Sequence, residues 1–115
     1  MIAIPVLWLA LASLQDPQAE APRIWDGEDV TFVRRPTPEF PVDARASRGQ
    51  VSMVCTVTAR GRFRNCVVES ETPPGNGFAR AAIVAVQRGA RIEMTPDGPA
   101  EGDRVRSSIV FWNGR

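Results

Sequence analysis

Two strand-like runs separated by one short turn constrain the fold of this chain more than any other part of its sequence. The runs cover residues 50–59 and 62–70, are rich in Val, Thr and Phe, and lie on either side of Arg60-Gly61. Runs of this composition around a glycine-containing turn predict a β-hairpin. If the loop has an even number of residues centred on Arg60-Gly61, the numbers of opposed residues sum to 121.

This register places the two cysteines of the chain opposite each other, Cys55 against Cys66. It also pairs Val57 with Arg64 and Met53 with Val68. Side chains alternate between the two faces of a strand, so one face of the hairpin is nearly all apolar. That face is the predicted core face, and it carries Val51, Met53, Cys55, Val57, Cys66 and Val68.

The N-terminal residues bear on the compartment. Met1–Leu14 is an uninterrupted apolar run, which matches the h-region of a secretory signal in length and is short for a membrane span. We therefore expect residues 1–21 to be a signal peptide or a short membrane anchor. Export is the expected fate, and an uncleaved run would leave the chain anchored to the membrane. Residues 22–36 are polar and rich in Pro, and are expected to be a linker that docks a short strand at its end.

Opposed cysteines in an exported protein favour a disulfide between Cys55 and Cys66. Two buried free thiols packed side by side are the alternative. A redox-active pair is disfavoured because the spacing is not that of a C-x-x-C motif.

The other elements are predicted from helix and strand punctuation. A short helix is expected over residues 40–49, with Pro41 in its first turn and Gly49 after its last. A second helix over 78–88 has Asn76 as its predicted N-cap. A third strand over 104–112 alternates apolar and polar side chains. The domain, residues 37–115, is thus predicted as α+β, with two helices packed on a three-stranded antiparallel sheet in the order α-β-β-α-β.

The inventory of functional groups disfavours an enzyme. The chain has no His, Lys or Tyr, and all 14 of its basic residues are Arg. Most general acid–base catalysis near neutral pH uses those absent side chains, and a zinc site needs more ligands than two cysteines supply. We expect no catalytic residues, no metal and no cofactor. From Arg34 onward there are 13 arginines and eight acidic residues, which indicates either a solvated basic face or a surface that attracts an anionic partner.

Several motifs, in this order, resemble the C-terminal domain of TonB-type energy transducers. They begin with Phe40-Pro41 and Gly49-Gln50-Val51, and continue with the hairpin turn and Cys66-Val67-Val68-Glu69-Ser70. The series ends with Pro73-Pro74-Gly75, Gly77-Phe78, Asp97-Gly98 and Ser108-Ile109-Val110-Phe111.

The resemblance implies a periplasmic domain that takes part in TonB-dependent transport across the envelope. In that family an extended peptide of an outer-membrane receptor adds as a strand beside the last strand. Carried over to this chain, the peptide-binding edge consists of Arg104, Val105, Arg106, Ser107, Ser108, Ile109, Val110 and Phe111. Charged residues also protect an edge from pairing, so Arg104 and Arg106 fit either role.

Other functions remain open. One is a disulfide-stabilised structural or assembly protein of the envelope, with its last strand pairing in a homodimer. Another is an orphan domain that is not coupled to the inner-membrane motor. A nucleic-acid binder conflicts with export, and any membrane contact is expected only through an uncleaved N-terminus. A hydrolase using Glu69 and Glu71 is the weakest alternative, because residues two apart on a strand are more simply solvent-facing.

Overall fold

The computed structural model describes residues 22–114. The predicted signal peptide or anchor, residues 1–21, lies outside the described residues, as does Arg115. The elements in chain order are β1 (Ile24–Asp26), a 3-10 helix (Gly27–Asp29), β2 (Phe32–Arg34), β3 (Arg48–Val57), β4 (Phe63–Thr72), α1 (Phe78–Gly89), β5 (Arg91–Ile92) and β6 (Arg104–Trp112). No helix among the described residues is long and apolar enough to span a membrane.

The predicted hairpin is present as β3 and β4, and a disulfide joins Cys55 to Cys66 with an S–S distance of 2.06 Å. Its register changes along its length. Met53 pairs with Val68 as predicted, but Val57 pairs with Phe63 rather than with Arg64. Two bulges on β4 change the register. An extra residue near Asn65 separates the pairing of Val57 from that of Met53, and another at Glu69 shifts the pairing of residues 50–52. Asn65 has a φ of 51°.

The helix α1 packs its apolar side on one face of the sheet, where Phe78, Ala82, Ala85 and Val86 are buried. The core between helix and sheet also includes Val51, Met53, Val57, Ile92, Val105 and Phe111. The ring of Phe78 lies directly over Gly49, where a β-carbon would come within 2.3 Å of it. The absence of a side chain at Gly49 therefore allows the helix to approach the sheet closely.

The main sheet has four strands in the order β1-β6-β3-β4, and β2 pairs with β5 in a separate two-stranded sheet. The prediction of three antiparallel strands was incomplete, because β1 adds to β6 in the parallel direction. Residues 22–36, expected to be a linker, thus contribute two short strands and a 3-10 helix to the folded unit.

The helix predicted over residues 40–49 is absent, so the order α-β-β-α-β was wrong. This segment contains only a turn, and β3 already begins at Arg48. The backbone N–H groups of Arg45 and Ala46 donate to Oδ1 of Asn76, at 2.7 and 3.0 Å, instead of to helical carbonyls. Asn76 consequently does not cap α1, whose N-cap position is occupied by Gly77.

Candidate functional site

The strand β6 has the alternation expected of a strand with one buried face. Val105, Ile109 and Phe111 are buried, whereas the residues between them are exposed or half-buried. The strand pairs with β3 over its whole length, from Arg104 opposite Thr56 to Trp112 opposite Arg48, without a register shift. One side of β6 is therefore fully paired, and its function depends on the other side.

On that other side, β1 covers the first third of the strand. Ile24 pairs with Arg104 and Asp26 pairs with Arg106. The N–H of Arg104 donates to the carbonyl of Arg23 at 2.8 Å. We call residues 23–26 the N-terminal arm, since they lie on the sheet as a short additional strand.

The carboxylate of Asp103 holds the arm in place. It accepts hydrogen bonds from the N–H of Arg23 at 3.1 Å, from the indole Nε1 of Trp25 at 3.0 Å and from the N–H of Ala100 at 3.0 Å. Burial by itself would raise the pKa of Asp103, but these hydrogen bonds outweigh it and hold the pKa below its ordinary value of 3.8. Asp103 is therefore a charged, buried anchor for the arm.

Beyond Asp26 the chain turns away as the 3-10 helix, and no strand of residues 22–114 pairs with Ser107–Trp112 on this side. Backbone groups point alternately to the two sides of a strand. The N–H of Arg104 points toward the arm, so the N–H and C=O groups of Ser108, Val110 and Trp112 point the same way. We call Ser107–Trp112 the open edge.

A groove of about 790 Å³ runs beside the open edge. One wall is the backbone of β6 from Arg106 to Val110, and the other is formed by the 3-10 helix and the chain from Val30 to Pro38. Val86 of α1 and Ala90, the residue after the helix, also line it. The lining combines a strand that is unpaired on one side with apolar, proline and charged residues, the charged ones being Asp26, Glu28, Arg35 and Arg106. An extended peptide fits such a surface.

The uncovered face of the sheet carries an ion pair next to the open edge. Arg106 binds both carboxylate oxygens of Glu69, at 2.8 and 3.0 Å, and lies 4.0 Å from the carboxylate of Asp26. The hydrogen bond from Arg106 lowers the pKa of Glu69, and Glu69 in turn raises the pKa of Arg106. Arg106 is thus engaged within the fold. Further along, Val110 and Trp112 are 69% and 62% exposed, and the guanidinium of Arg48 lies 5.7 Å from the ring of Trp112.

The structure separates the predicted site residues into two groups. Arg104, Val105 and Arg106 lie beside the arm, whereas Ser107, Ser108, Ile109, Val110 and Phe111 lie on the open edge. The predicted strand included Trp112, but the predicted peptide-binding edge stopped at Phe111. Asp103 was not predicted as a functional residue, because its sequence position carries no sign of burial. Among residues 22–114, no group of three or more Cys, Asp or Glu side chains is placed to hold a metal ion.

The fold resembles that of a solved TonB domain. The solution NMR structure of the Pseudomonas aeruginosa TonB C-terminal domain matches with a TM-score of 0.59 and 22% sequence identity, over 80% of this chain and 94% of that one. No protein-family profile matches the chain, and no curated protein matches it. The similarity shows a TonB C-terminal-like fold of mixed α and β structure, with one described α-helix against a sheet.

Proposed function

We propose that this chain is a TonB-like binding module that engages an extended peptide by strand addition at the open edge. The observation that carries the proposal is that β6, fully paired with β3 on one side, leaves Ser107–Trp112 without a partner strand on the other. A peptide strand laid there would bind through its main chain, and its alternate side chains would enter the groove. The arm limits the site to the second part of the predicted edge.

The proposed partner is the N-terminal peptide of an outer-membrane receptor, and the proposed setting is the periplasm, in TonB-dependent transport. The TonB C-terminal fold is that of a protein-interaction domain and not of an enzyme. The described disulfide supports an oxidising compartment, because such bonds are rare where thiols are kept reduced.

An NMR titration with a synthetic receptor-derived peptide tests the proposal. We expect amide shifts concentrated in Ser107–Trp112 and in the groove wall from Val30 to Pro38. The amides of β4 serve as the internal control, since they lie on the far edge of the sheet.

Methylated peptides supply a matched control that leaves the protein unchanged. Because main-chain N–H groups alternate along a strand, N-methylation at alternate positions of one parity should abolish binding. The same number of methyl groups at the other parity should leave binding nearly intact. Equal loss with both peptides, or shifts spread evenly over the sheet, would rule out strand addition.

A second function, assembly through the same edge, is favoured by the exposed Val110 and Trp112 on an unpaired strand. Two copies pairing edge to edge would form a continuous sheet. Sedimentation at increasing protein concentration shows whether the chain forms a dimer. If it does, and if Ser107–Trp112 is then protected from amide exchange, assembly rather than peptide binding is the primary role of this edge.

A further inference from the structure

Five arginines from four parts of the fold lie at one end of the molecule. Arg60 and Arg62 flank Gly61 in the hairpin turn, and the carbonyl of Gly61 accepts the N–H of Ile92 at 2.8 Å, next to Arg91. Arg91 pairs across strands with Arg34. Arg62 donates to the carbonyl of Arg88 at 2.6 Å. We call this set, Arg34, Arg60, Arg62, Arg88 and Arg91, the basic end.

The charges of the basic end are not neutralised within the fold. All five side chains are exposed, and none lies within 4.0 Å of a carboxylate of the described residues. Glu93 follows Arg91 by two residues without pairing with it. By contrast, the described guanidinium that does form ion pairs, that of Arg106, lies in the middle of the sheet. Five unpaired cations at one end form a surface with a strong positive field.

The described chain begins at this same end. The carbonyl of Arg23 accepts the N–H of Arg104. The backbone carbonyl of Asp103, the residue before Arg104, accepts the N–H of Val57 at the start of the hairpin turn. Only eight residues separate Arg23 from the last residue of the apolar run, Leu14. Fully extended, they span about 30 Å. An apolar run that stays in a membrane would therefore hold the basic end close to the lipid headgroups.

We propose that the basic end docks on the anionic phosphates of a phospholipid membrane. The arginine guanidinium suits this partner because its planar fork donates two parallel hydrogen bonds to a phosphate. Docking in this way leaves the open edge exposed, since its far residue, Trp112, pairs with Arg48 at the opposite end of β3 from the hairpin turn. The inference does not depend on peptide binding at that edge.

A lipid surface fits the basic end better than a nucleic acid does. Binding of single strands combines cationic groups with exposed aromatic rings on which bases stack. The rings of Phe32 and Phe63 lie near these arginines, but Phe63 is buried, and Phe32 is half-buried and already lies under the guanidinium of Arg35. The exposed Trp112 lies at the other end of β6.

Vesicle sedimentation of the full chain tests the proposal. Binding is measured to vesicles of phosphatidylcholine alone and to vesicles that also contain phosphatidylglycerol. The ratio of the two affinities isolates headgroup charge, because the apolar run contributes to both. We expect a ratio of at least about 10, falling toward one in salt of about 1 M, where the screening length is about 3 Å.

Matched double variants then locate the surface. Arg60→Gln with Arg91→Gln should lower the affinity for the anionic vesicles by roughly 25-fold, on the basis of about fivefold per arginine. The control, Arg45→Gln with Arg80→Gln, removes the same charge from exposed positions elsewhere and should stay within about twofold of the unaltered chain. Arg34→Gln with Arg60→Gln serves as a second test pair if the first fails to fold by circular dichroism.

Three outcomes would overturn the inference. One is equal affinity of the unaltered chain for both kinds of vesicle. Another is an equal loss in the test and control variants, which would show a net-charge effect without a defined surface. The third is tighter binding of a single-stranded oligonucleotide than of the anionic vesicles, with the same dependence on Arg60 and Arg91, which would assign the basic end to nucleic acid.

Discussion

The strands β4 and β6 each have one side without a full-length partner, but they present that side differently. The strand β4 contains two bulges, and the side chain of Gln87 accepts the N–H of Cys66 on this strand. The strand β6 keeps a regular register along its nine residues. Bulges and local capping discourage pairing with another chain, whereas a regular edge permits it. The difference indicates that only one edge of this sheet is suited to receive a strand.

The disulfide gives the largest expected effect on this comparison. Replacing Cys55 and Cys66 together by Ser should lower the free energy of unfolding by about 3 kcal/mol, because the unfolded chain gains the freedom that an 11-residue separation had restricted. Denaturant titration measures the loss. Amide exchange should accelerate in β4 first and leave β6 protected on its β3 side. Faster exchange confined to β6 would contradict the expectation that the disulfide stabilises β4 most.

Removal of the Asp103 carboxylate gives an intermediate effect on the other edge. Asp103→Ala should lower the free energy of unfolding by about 2 kcal/mol, because it leaves the N–H of Arg23 and the indole of Trp25 without their charged acceptor. The arm should then leave β6, and the amide of Arg104 should exchange faster. Glu101→Ala, at an exposed acid two residues earlier, is the control and should change neither quantity. Unchanged protection of Arg104 in the Asp103 variant would show that strand pairing alone holds the arm.

Acid should produce the smallest effect, restricted to the arm. A carboxylate whose pKa is lowered by folding stabilises the fold above its unfolded-state pKa and loses that contribution as the pH falls through its folded value. For Asp103 the loss therefore occurs below its ordinary value of 3.8. The indole N–H signal of Trp25 should lose protection there. Glu69 also has a lowered pKa, so Glu69→Gln should alter global acid unfolding but leave the Trp25 signal unchanged. A change of the Trp25 signal in this variant would show that its loss of protection does not report on Asp103 alone.

The periodic elements could be predicted from the sequence, and the irregular ones could not. Alternation of apolar and polar residues marked β6, and the two Val- and Thr-rich runs around Arg60-Gly61 marked the hairpin. The bulges on β4 escaped prediction because an extra residue leaves no mark on composition. The one near Asn65 changed the partner of Val57 from Arg64 to Phe63. Local signals are therefore reliable here only where one period runs through the whole element.

The predictions for residues 40–49 and for the arm were wrong for a different reason, since the structure of both segments depends on contacts distant in sequence. Pro41 and Gly49 are typical helix punctuation, but Asn76 binds the backbone N–H groups that helix formation would need. The arm has only three paired residues, too few for a periodic signal, and its anchor is Asp103. Because the arm covers Arg104–Arg106, it determines where the open edge begins. The sequence alone therefore predicted the strand but not which of its residues lack a second partner strand.

The arm also has a consequence for the order in which the fold forms. The hairpin closes between neighbouring residues, but Ile24 pairs with Arg104, 80 positions later. Contacts of such separation form late, because closing a long loop costs more chain entropy than closing a short one. We therefore expect the arm, which is synthesised first among the described strands, to pair last. Until the arm pairs, the whole of β6, including Arg104–Arg106, is unpaired on that side. Rapid pairing of the arm would therefore limit pairing of β6 with another chain.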